Sequence, residues 1–303
     1  MGDARRARRG LLVFFAVLVP LSGFIEAVIV RRTSGIPGAV LILLLMWVPA
    51  LASVVARLAV REGFRDLSLR LGDRRVARAL LVAVAFPLLV GAIAYGIAWT
   101  TGLASFEPPF EDPALILPLW MVPLSGGPAA RFAESLGLHL TLGALSGCVF
   151  AAGEEIGWRG YLVPRLIEAR VPGALPLSGL VWALWHWPLA LGSRSPHVLL
   201  ILSLFTLELI PVGAMMARLR LESGSVWPPI LLHGLWNELL ANVFGGFTAR
   251  EGIWLGESGF LVVGTALLLS FLLLRGRWPA RHTPGEAPYA ELGFLSRPEA
   301  TAP

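Results

Sequence analysis

The feature that most constrains this fold is a series of apolar runs, each long enough to cross a lipid bilayer. A helix needs about 20 apolar residues to span the hydrocarbon core. The chain is 56% hydrophobic and only 15% charged, whereas soluble domains carry about a quarter charged residues. The runs are apolar on every face, which excludes the alternating strands of a membrane barrel. We therefore predict an all-α polytopic membrane helical bundle, whose main partner is the lipid bilayer.

About eight transmembrane helices are predicted, and short polar segments separate them. Their predicted bounds are 11–30, 36–60, 76–99, 132–152, 175–191, 198–217, 226–244 and 260–274. Residues 1–278 are predicted to form one transmembrane domain, and the Pro-rich remainder, 279–303, a disordered cytoplasmic tail. Residues 114–124 are apolar but too short to span, so we expect an interfacial or re-entrant piece.

The charge distribution predicts the orientation of the bundle. The formal net charge is +5 and the basic residues are all arginines, clustered between the apolar runs. This pattern indicates membrane topology rather than nucleic-acid binding, and it places both termini and most basic loops in the cytoplasm. Arg31 and Arg32 do not fit this orientation, because they follow the first predicted helix, in a loop that it places outside the cytoplasm. The Arg-rich, Ala-rich usage is typical of a GC-rich genome, so we predict a bacterial cell membrane.

One stretch, residues 151–162, places adjacent carboxylates at the end of the fourth run. Arg159 follows Glu155 by four residues, so the two can pair on one helix face. Ionisable groups in a membrane segment are costly and are therefore expected to be functional. We place Glu154 and Glu155 at the cytoplasmic end of the fourth helix, and we predict that 157–169 forms an amphipathic helix on that surface.

Two later helices enter from the same side and carry possible partners. His186 lies about 16 Å into the fifth helix and His233 about 10 Å into the seventh, at 1.5 Å per residue. Asn237 is one turn beyond His233 and on the same face. These side chains meet Glu154 only if the fourth helix ends below the membrane surface.

A cluster of this composition suits hydrolysis of an amide bond in either of two ways. A carboxylate in an apolar pocket can act as a general base on water, while His and Asn donate hydrogen bonds to an oxyanion. Alternatively, one Glu and two His resemble the ligand set of hydrolytic zinc sites, which keep an open position for water. The single cysteine, Cys148, offers neither a disulfide nor a Cys pair for a metal.

Three motifs in order resemble those of the CPBP family, which contains the type II CAAX prenyl endopeptidases and bacterial Abi proteins. They are Glu154-Glu155-x-x-x-Arg159, Trp182-x-x-x-His186 and His233-x-x-x-Asn237, within a region similar to the family from about 115 to 244. Trp182 stands where the family often has Phe, and we expect it to pack without affecting the chemistry.

The resemblance implies an intramembrane endopeptidase whose active site opens to the cytoplasm. It implies that Glu154 activates water, that Glu155 assists or holds Arg159, and that His186, His233 and Asn237 bind a metal or the oxyanion. The implied cofactor is a divalent metal such as Zn held by Glu154, His186 and His233, with no organic cofactor. The implied substrate is a peptide or protein, lipidated or membrane-anchored.

Other interpretations of the same residues remain open. The polar cluster could join the helices of a non-catalytic scaffold or bacteriocin-immunity-type protein. A proton-coupled transporter using Glu208 and Glu154 would need a helix broken at mid-membrane. Glu208 could equally make a structural hydrogen bond. We expect His139 and Arg131 at the outer surface, and Glu238 about 100° away from Asn237 and outside the site.

Overall fold

A computed structural model describes residues 3–31, 35–72, 74–108, 114–117, 120–192, 195–250 and 252–275. These residues form the predicted all-α polytopic bundle, with eight helices in the described part of the chain. The helices are α1 (Asp3–Arg31), α2 (Gly38–Ala59), α3 (Arg74–Thr101), α4 (Pro128–Glu168), α5 (Ala174–Gly192), α6 (Val198–Ser223), α7 (Trp227–Trp236, extended by a π-helical segment Asn237–Phe244) and α8 (Phe260–Arg275). The predicted tail, 279–303, lies outside the described residues.

Six of these helices are long and apolar enough to cross a membrane, namely α1 to α6. Helix α8 is apolar but has only 16 residues, which is short for a span. Large apolar side chains remain exposed along the bundle, including Leu12, Leu81 and Leu199 at 72%, 71% and 74%. An apolar exterior on long apolar helices is the signature of an integral membrane protein.

The helices alternate in direction, which brings the basic segments to one end of the bundle. The Arg8 guanidinium donates to the Ala169 carbonyl at 3.4 Å, and the backbone N–H of Val226 donates to the Ser68 carbonyl at 3.1 Å. We call this end the arginine-rich face, defined by the start of α1, residues 60–72, and the segments joining α4 to α5 and α6 to α7.

Short strands lie on the opposite side of the bundle. Strands β1 (Ser105–Phe106) and β4 (Thr248–Ala249) pair antiparallel, and β2 (Ala114–Leu117) pairs antiparallel with β3 (Trp120–Pro123). The apolar piece at 114–124 therefore contains a hairpin, because its backbone groups are satisfied by pairing rather than by a helix.

Helix α4 is the element that carries the double glutamate, and it continues well beyond it. Two π-helical segments, His139–Gly143 and Trp158–Leu162, interrupt an otherwise α-helical path of 41 residues. The prediction of an amphipathic surface helix at 157–169 is therefore wrong. Its arginines do not mark a solvated face, because Arg159 pairs with Glu155 and Arg165 pairs with Asp66 and Glu168 inside the fold.

Glycines allow α4 to approach its neighbours at backbone contact. A Cβ atom on Gly153 would lie 2.6 Å from the Met46 carbonyl oxygen of α2, and one on Gly157 would lie 2.3 Å from the Pro49 side chain. On the other side, a Cβ on Gly234 of α7 would lie 2.6 Å from the backbone nitrogen of Cys148. These contacts hold α4 between α2 and α7 and set the distance between the motif residues.

Candidate active site

Glu154 lies inside the bundle, 1% exposed, with one carboxylate oxygen held by two indole groups. The Trp158 indole N–H donates to its Oε2 at 3.1 Å, and the Trp182 indole N–H donates to the same atom at 2.6 Å. The other oxygen, Oε1, receives no hydrogen bond from the described residues. One oxygen is thus fixed in place, while the other has unused hydrogen-bonding capacity.

Glu155 is fully buried and forms the centre of a charge network. Arg159 Nη1 donates to both of its carboxylate oxygens, at 2.7 and 3.0 Å. His233 Nδ1 lies 2.8 Å from Oε1 of the same carboxylate. Because a salt-bridged carboxylate can only accept, Nδ1 of His233 must carry the proton. Glu155 therefore joins the first and third motifs across α4 and α7.

Trp182 lies at the centre of the predicted site. It contacts more of the site residues than any one of those residues does. Besides its bond to Glu154, its ring lies under the Arg159 guanidinium, with 4.4 Å from Cζ to the ring centroid. Its ring centroid is 5.1 Å from that of His233 and 5.9 Å from that of His186, both in edge contacts. The ring therefore packs as expected, and its N–H also binds Glu154, which a Phe could not do.

His186 is half-buried on α5 and is oriented by its own helix. Its Nδ1 lies 2.8 Å from the Trp182 carbonyl, and its ring packs edge-on against Trp185 and Phe205, with centroids 4.9 and 5.1 Å away. A carbonyl oxygen only accepts, so Nδ1 is the protonated nitrogen. In the neutral ring, Nε2 then presents a lone pair rather than a hydrogen.

Asn237 follows His233 by one turn, and its backbone N–H donates to the carbonyls of both His233 and Gly234. Its side chain is half-buried and makes no hydrogen bond within the part of the chain that the structure describes. It begins the π-helical extension of α7, and such segments are frequent at functional sites. The amide N–H groups of Asn237 are thus uncommitted within the described residues.

The metal predicted from the resemblance requires a set of ligands in reach of one point. Both histidines have the arrangement that metal-binding imidazoles show, with Nδ1–H held by an acceptor and Nε2 free. However, no three His, Cys, Asp or Glu side chains among the described residues come close enough together to hold a metal ion. The residues thus do not form a complete ligand set, so we derive no catalytic step through a metal.

A second polar cluster lies between α4 and α7, and it contains His139, which we expected at the outer surface. His139 is 7% exposed rather than on the outer surface, and its Nδ1 lies 2.5 Å from Oε1 of Glu238. Asn242 donates to the other oxygen of Glu238 at 2.9 Å. Glu238 is absent from the first cluster, as expected, but it has a partner of its own. We call His139, Glu238 and Asn242 the His139 cluster.

Arg57 is a buried charge that our motif-based reasoning missed. It is 1% exposed on α2, pairs with Asp66, and donates to the Gly160 carbonyl at 2.9 Å. Its guanidinium also lies 5.1 Å from the Tyr161 ring centroid. The signal was present in the sequence, because an arginine within an apolar run needs a partner. Arg57 holds residues 62–66 against the part of α4 that carries Arg159.

Comparison with known families agrees with the motif assignment. The family model described as "Rce1-like: Type II CAAX prenyl endopeptidase Rce1-like" matches residues 137–239, which begin in α4 and end in the extension of α7. The match includes every residue of the three motifs. Among curated proteins, none matches the chain.

Proposed function

We propose, from the match of residues 137–239 to the Rce1-like type II CAAX prenyl endopeptidase family model, that this integral membrane protein is an intramembrane endopeptidase in which Glu154 activates water. The observation that carries the proposal is the asymmetry of Glu154. Its Oε2 is fixed by Trp158 and Trp182, whereas its Oε1 has no partner in the described residues. A carboxylate held in this way can take a proton without losing its position.

In the proposed first step, Glu154 removes a proton from water as the water oxygen attacks the carbonyl carbon of the peptide bond. The charge that develops on the carbonyl oxygen needs a hydrogen-bond donor. Asn237 supplies one, because its amide N–H groups are uncommitted. In their neutral form the rings of His186 and His233 present Nε2 lone pairs, so in this scheme they accept a hydrogen bond from the water rather than donate to the oxyanion.

In the second step, the proton taken by Glu154 passes to the nitrogen of the leaving amine as the C–N bond breaks. The products are a carboxylate and an amine, and Glu154 returns to its ionised form. Glu155 takes no proton in this scheme. It positions His233 and Arg159, and Arg159 in turn packs on the Trp182 ring that holds Glu154.

The decisive experiment compares Glu154→Gln with the unmodified protein in proteoliposomes, using an S-farnesylated CAAX peptide and mass spectrometry of the products. General-base catalysis contributes about 10²- to 10⁴-fold, so we expect cleavage to fall at least about 100-fold while the protein remains inserted. Glu168→Gln is the matched control, because it removes a carboxylate from the same helix at its pairing with Arg165. Full activity in Glu154→Gln would exclude Glu154 as the general base, whereas no cleavage by the unmodified protein would favour a non-catalytic scaffold.

A divalent metal remains a prediction of the family resemblance. Dialysis against 1,10-phenanthroline followed by addition of Zn²⁺ tests it. Loss and recovery of cleavage would show that an ion completes the incomplete ligand set of Glu154, His186 and His233. Unchanged cleavage would leave the histidine Nε2 atoms as acceptors for water only.

We also propose that the arginine-rich face lies in the cytoplasm of a bacterial cell. The positive-inside tendency supports this, because the segments that define this face carry most of the arginines between spans. Accessibility of single cysteines placed in residues 60–72, in a Cys148→Ser background, would locate the face. Labelling only from outside the intact cell would overturn the orientation.

A further inference from the structure

Three arginine side chains line an open cavity on the arginine-rich face. The cavity has a volume of about 440 Å³ and lies between the start of α1, which contributes Ala4, Arg5 and Arg8, and the segment after α4, which contributes Arg170. Ligand pockets in proteins have volumes of about 300–1,000 Å³. The Arg8 guanidinium joins the two sides, because it donates to the Ala169 carbonyl at 3.4 Å. Two distant segments of the chain therefore bring positive charge to one space.

The charge of this cavity is not balanced by acidic side chains of the described residues. The carboxylates nearest in sequence are already engaged, since Asp3 pairs with Arg6 at 2.7 Å and Glu168 pairs with Arg165. The three arginines of the cavity are exposed and have no acidic partner within the described part of the chain. The first turn of α1 adds a partial positive charge at the same place. An anion in the cavity would meet three guanidinium groups that no described carboxylate engages.

The backbone at Arg170 gives separate support for a role of its side chain. Arg170 follows the last turn of α4 in the left-handed conformation, with a φ of 59°. The Val171 N–H donates to the Leu166 carbonyl at 2.9 Å, which is the closing bond of a Schellman turn. This position favours glycine, because a Cβ atom is strained there. An arginine here keeps a positive charge beside the cavity at a cost in backbone energy.

The cavity lies at the level of the phospholipid headgroups. One face of α1 carries four exposed residues within about 60° of one another, at 100° per residue, namely Arg5, Arg8, Leu12 and Val19. Leu12 and Val19 are 72% and 64% exposed, so this face turns away from the bundle. Arg8 precedes Leu12 by about 6 Å along the helix, and a headgroup layer is about 5–7 Å thick. A ligand of the arginines can therefore extend an acyl chain along Leu12 and Val19.

We propose that this cavity binds the headgroup phosphate of an anionic phospholipid, with an acyl chain lying along the exposed face of α1. Charge complementarity favours this occupant, because basic pockets between membrane helices bind acidic headgroups. A soluble phosphate would contact the arginines but not the apolar face below them. The lipid would join α1 to the end of α4, which already pack together through Phe14 and Tyr161, with ring centroids 5.4 Å apart.

The test measures lipid retention by the full-length protein with native mass spectrometry. The protein is mixed in detergent with equal amounts of phosphatidylglycerol and phosphatidylcholine that have the same acyl chains. We expect the unmodified protein to prefer phosphatidylglycerol by about tenfold or more, because one arginine near an anionic lipid surface contributes a factor of about five. Replacing Arg5, Arg8 and Arg170 together by Gln should remove the preference. Equal retention of both lipids by the unmodified protein would overturn the site.

The matched control replaces Arg65, Arg74 and Arg78 by Gln. These three arginines are exposed at the same end of the bundle but do not line the cavity. The control variant loses the same charge and should keep the preference for phosphatidylglycerol. Equal loss of preference in both triple variants would show that the overall charge of the face attracts the lipid, and would overturn the cavity as the binding site.

Arg170→Gly separates lipid binding from folding. Glycine suits the left-handed backbone, so this variant should melt in lipid-free detergent at the same or a higher temperature than the unmodified protein. Its preference for phosphatidylglycerol should nevertheless fall by about fivefold. An unchanged preference would contradict a site that joins α1 to the end of α4.

Glycerol 3-phosphate distinguishes a lipid from a soluble anion, since it has a phosphate but no acyl chain. At equal concentration it should not displace phosphatidylglycerol from the unmodified protein. Displacement would assign the cavity to a soluble anion and overturn the lipid. Because lipid retention is measured without a peptide substrate, none of these results depends on Glu154.

Discussion

Helices α4 and α7 meet at two polar clusters, and these clusters contain similar residues in opposite arrangement. In the first, Glu155 of α4 binds His233 of α7; in the second, His139 of α4 binds Glu238 of α7. The second cluster is closed around its carboxylate, since Asn242 occupies the other oxygen of Glu238. The first is open, because Glu154 Oε1 and the amide of Asn237 have no partner in the described residues. Residue type alone therefore does not identify a site, whereas unfilled hydrogen-bonding capacity does.

The two clusters should also differ in how much they contribute to the stability of the protein. A buried carboxylate with both oxygens bound stabilises the contact between two helices in the membrane. A carboxylate with a free oxygen contributes less to stability and is available for chemistry. We expect variants of the two clusters to separate accordingly, with the first affecting cleavage and the second affecting folding.

The largest contrast should come from removing one histidine from each cluster. His233→Ala should lower cleavage of a farnesylated peptide by about 100-fold or more, with little loss of stability because Glu155 keeps Arg159. His139→Ala should leave Oε1 of Glu238 buried without a donor, which costs about 1–3 kcal/mol. Cleavage assays and thermal unfolding in detergent measure the two effects. Equal loss of activity per folded molecule would show that the clusters act as one site.

The next largest effect on stability should come from a change in the packing of α4 against α7, between the two clusters. Gly234→Ala places a Cβ atom 2.6 Å from the Cys148 backbone nitrogen, so α4 and α7 must move apart. We expect a loss of about 1–3 kcal/mol in unfolding free energy, together with reduced cleavage. Gly264→Ala in α8 is the control, because nothing lies within 4 Å of its Cβ position. A normal melting temperature in Gly234→Ala would contradict the close contact.

A smaller effect is expected from Trp182→Phe, which keeps the ring but removes the N–H that binds Glu154 Oε2. A hydrogen bond to a charged group contributes about 1.5–3 kcal/mol, so kcat/KM should fall by about tenfold or more. Trp187→Phe provides the comparison, since that indole donates to Thr206 instead, at 3.1 Å. If both variants are equally active, Trp158 alone is sufficient to orient Glu154.

Apolar runs predicted the fold closely, because helix formation in a bilayer depends mainly on length and polarity. The bounds of the second helix, predicted at 36–60, differ by one or two residues from Gly38–Ala59. The first and fourth helices are longer than predicted, since α1 begins at Asp3 and α4 ends at Glu168. In both places charged residues continue the helix, and hydropathy does not distinguish a polar helical turn from a loop.

The motifs predicted which residues meet, but not how they meet. Glu154, Arg159, His186 and His233 contact Trp182, and Glu155 binds Arg159 and His233. Their catalytic roles remain a prediction. Glu154 can lie at the same depth as the histidines, because α4 continues for fourteen residues, about 21 Å, beyond it. Partners distant in sequence, such as Asp66 for Arg165, neutralise charges that appear exposed in the sequence.

The π-helical segment at His139–Gly143 determines the angular relation of the two clusters. At about 100° per residue, the sixteen residues from His139 to Glu155 would place these side chains about 160° apart on an ideal α-helix, so both could not face α7. Accommodating one extra residue in a π turn reduces the angle to about 60°. Deleting one residue from this segment would leave fifteen residues between the two side chains, and an ideal α-helix would then keep them about 60° apart. The irregular turn is therefore what allows a single helix to present two polar surfaces to the same neighbour.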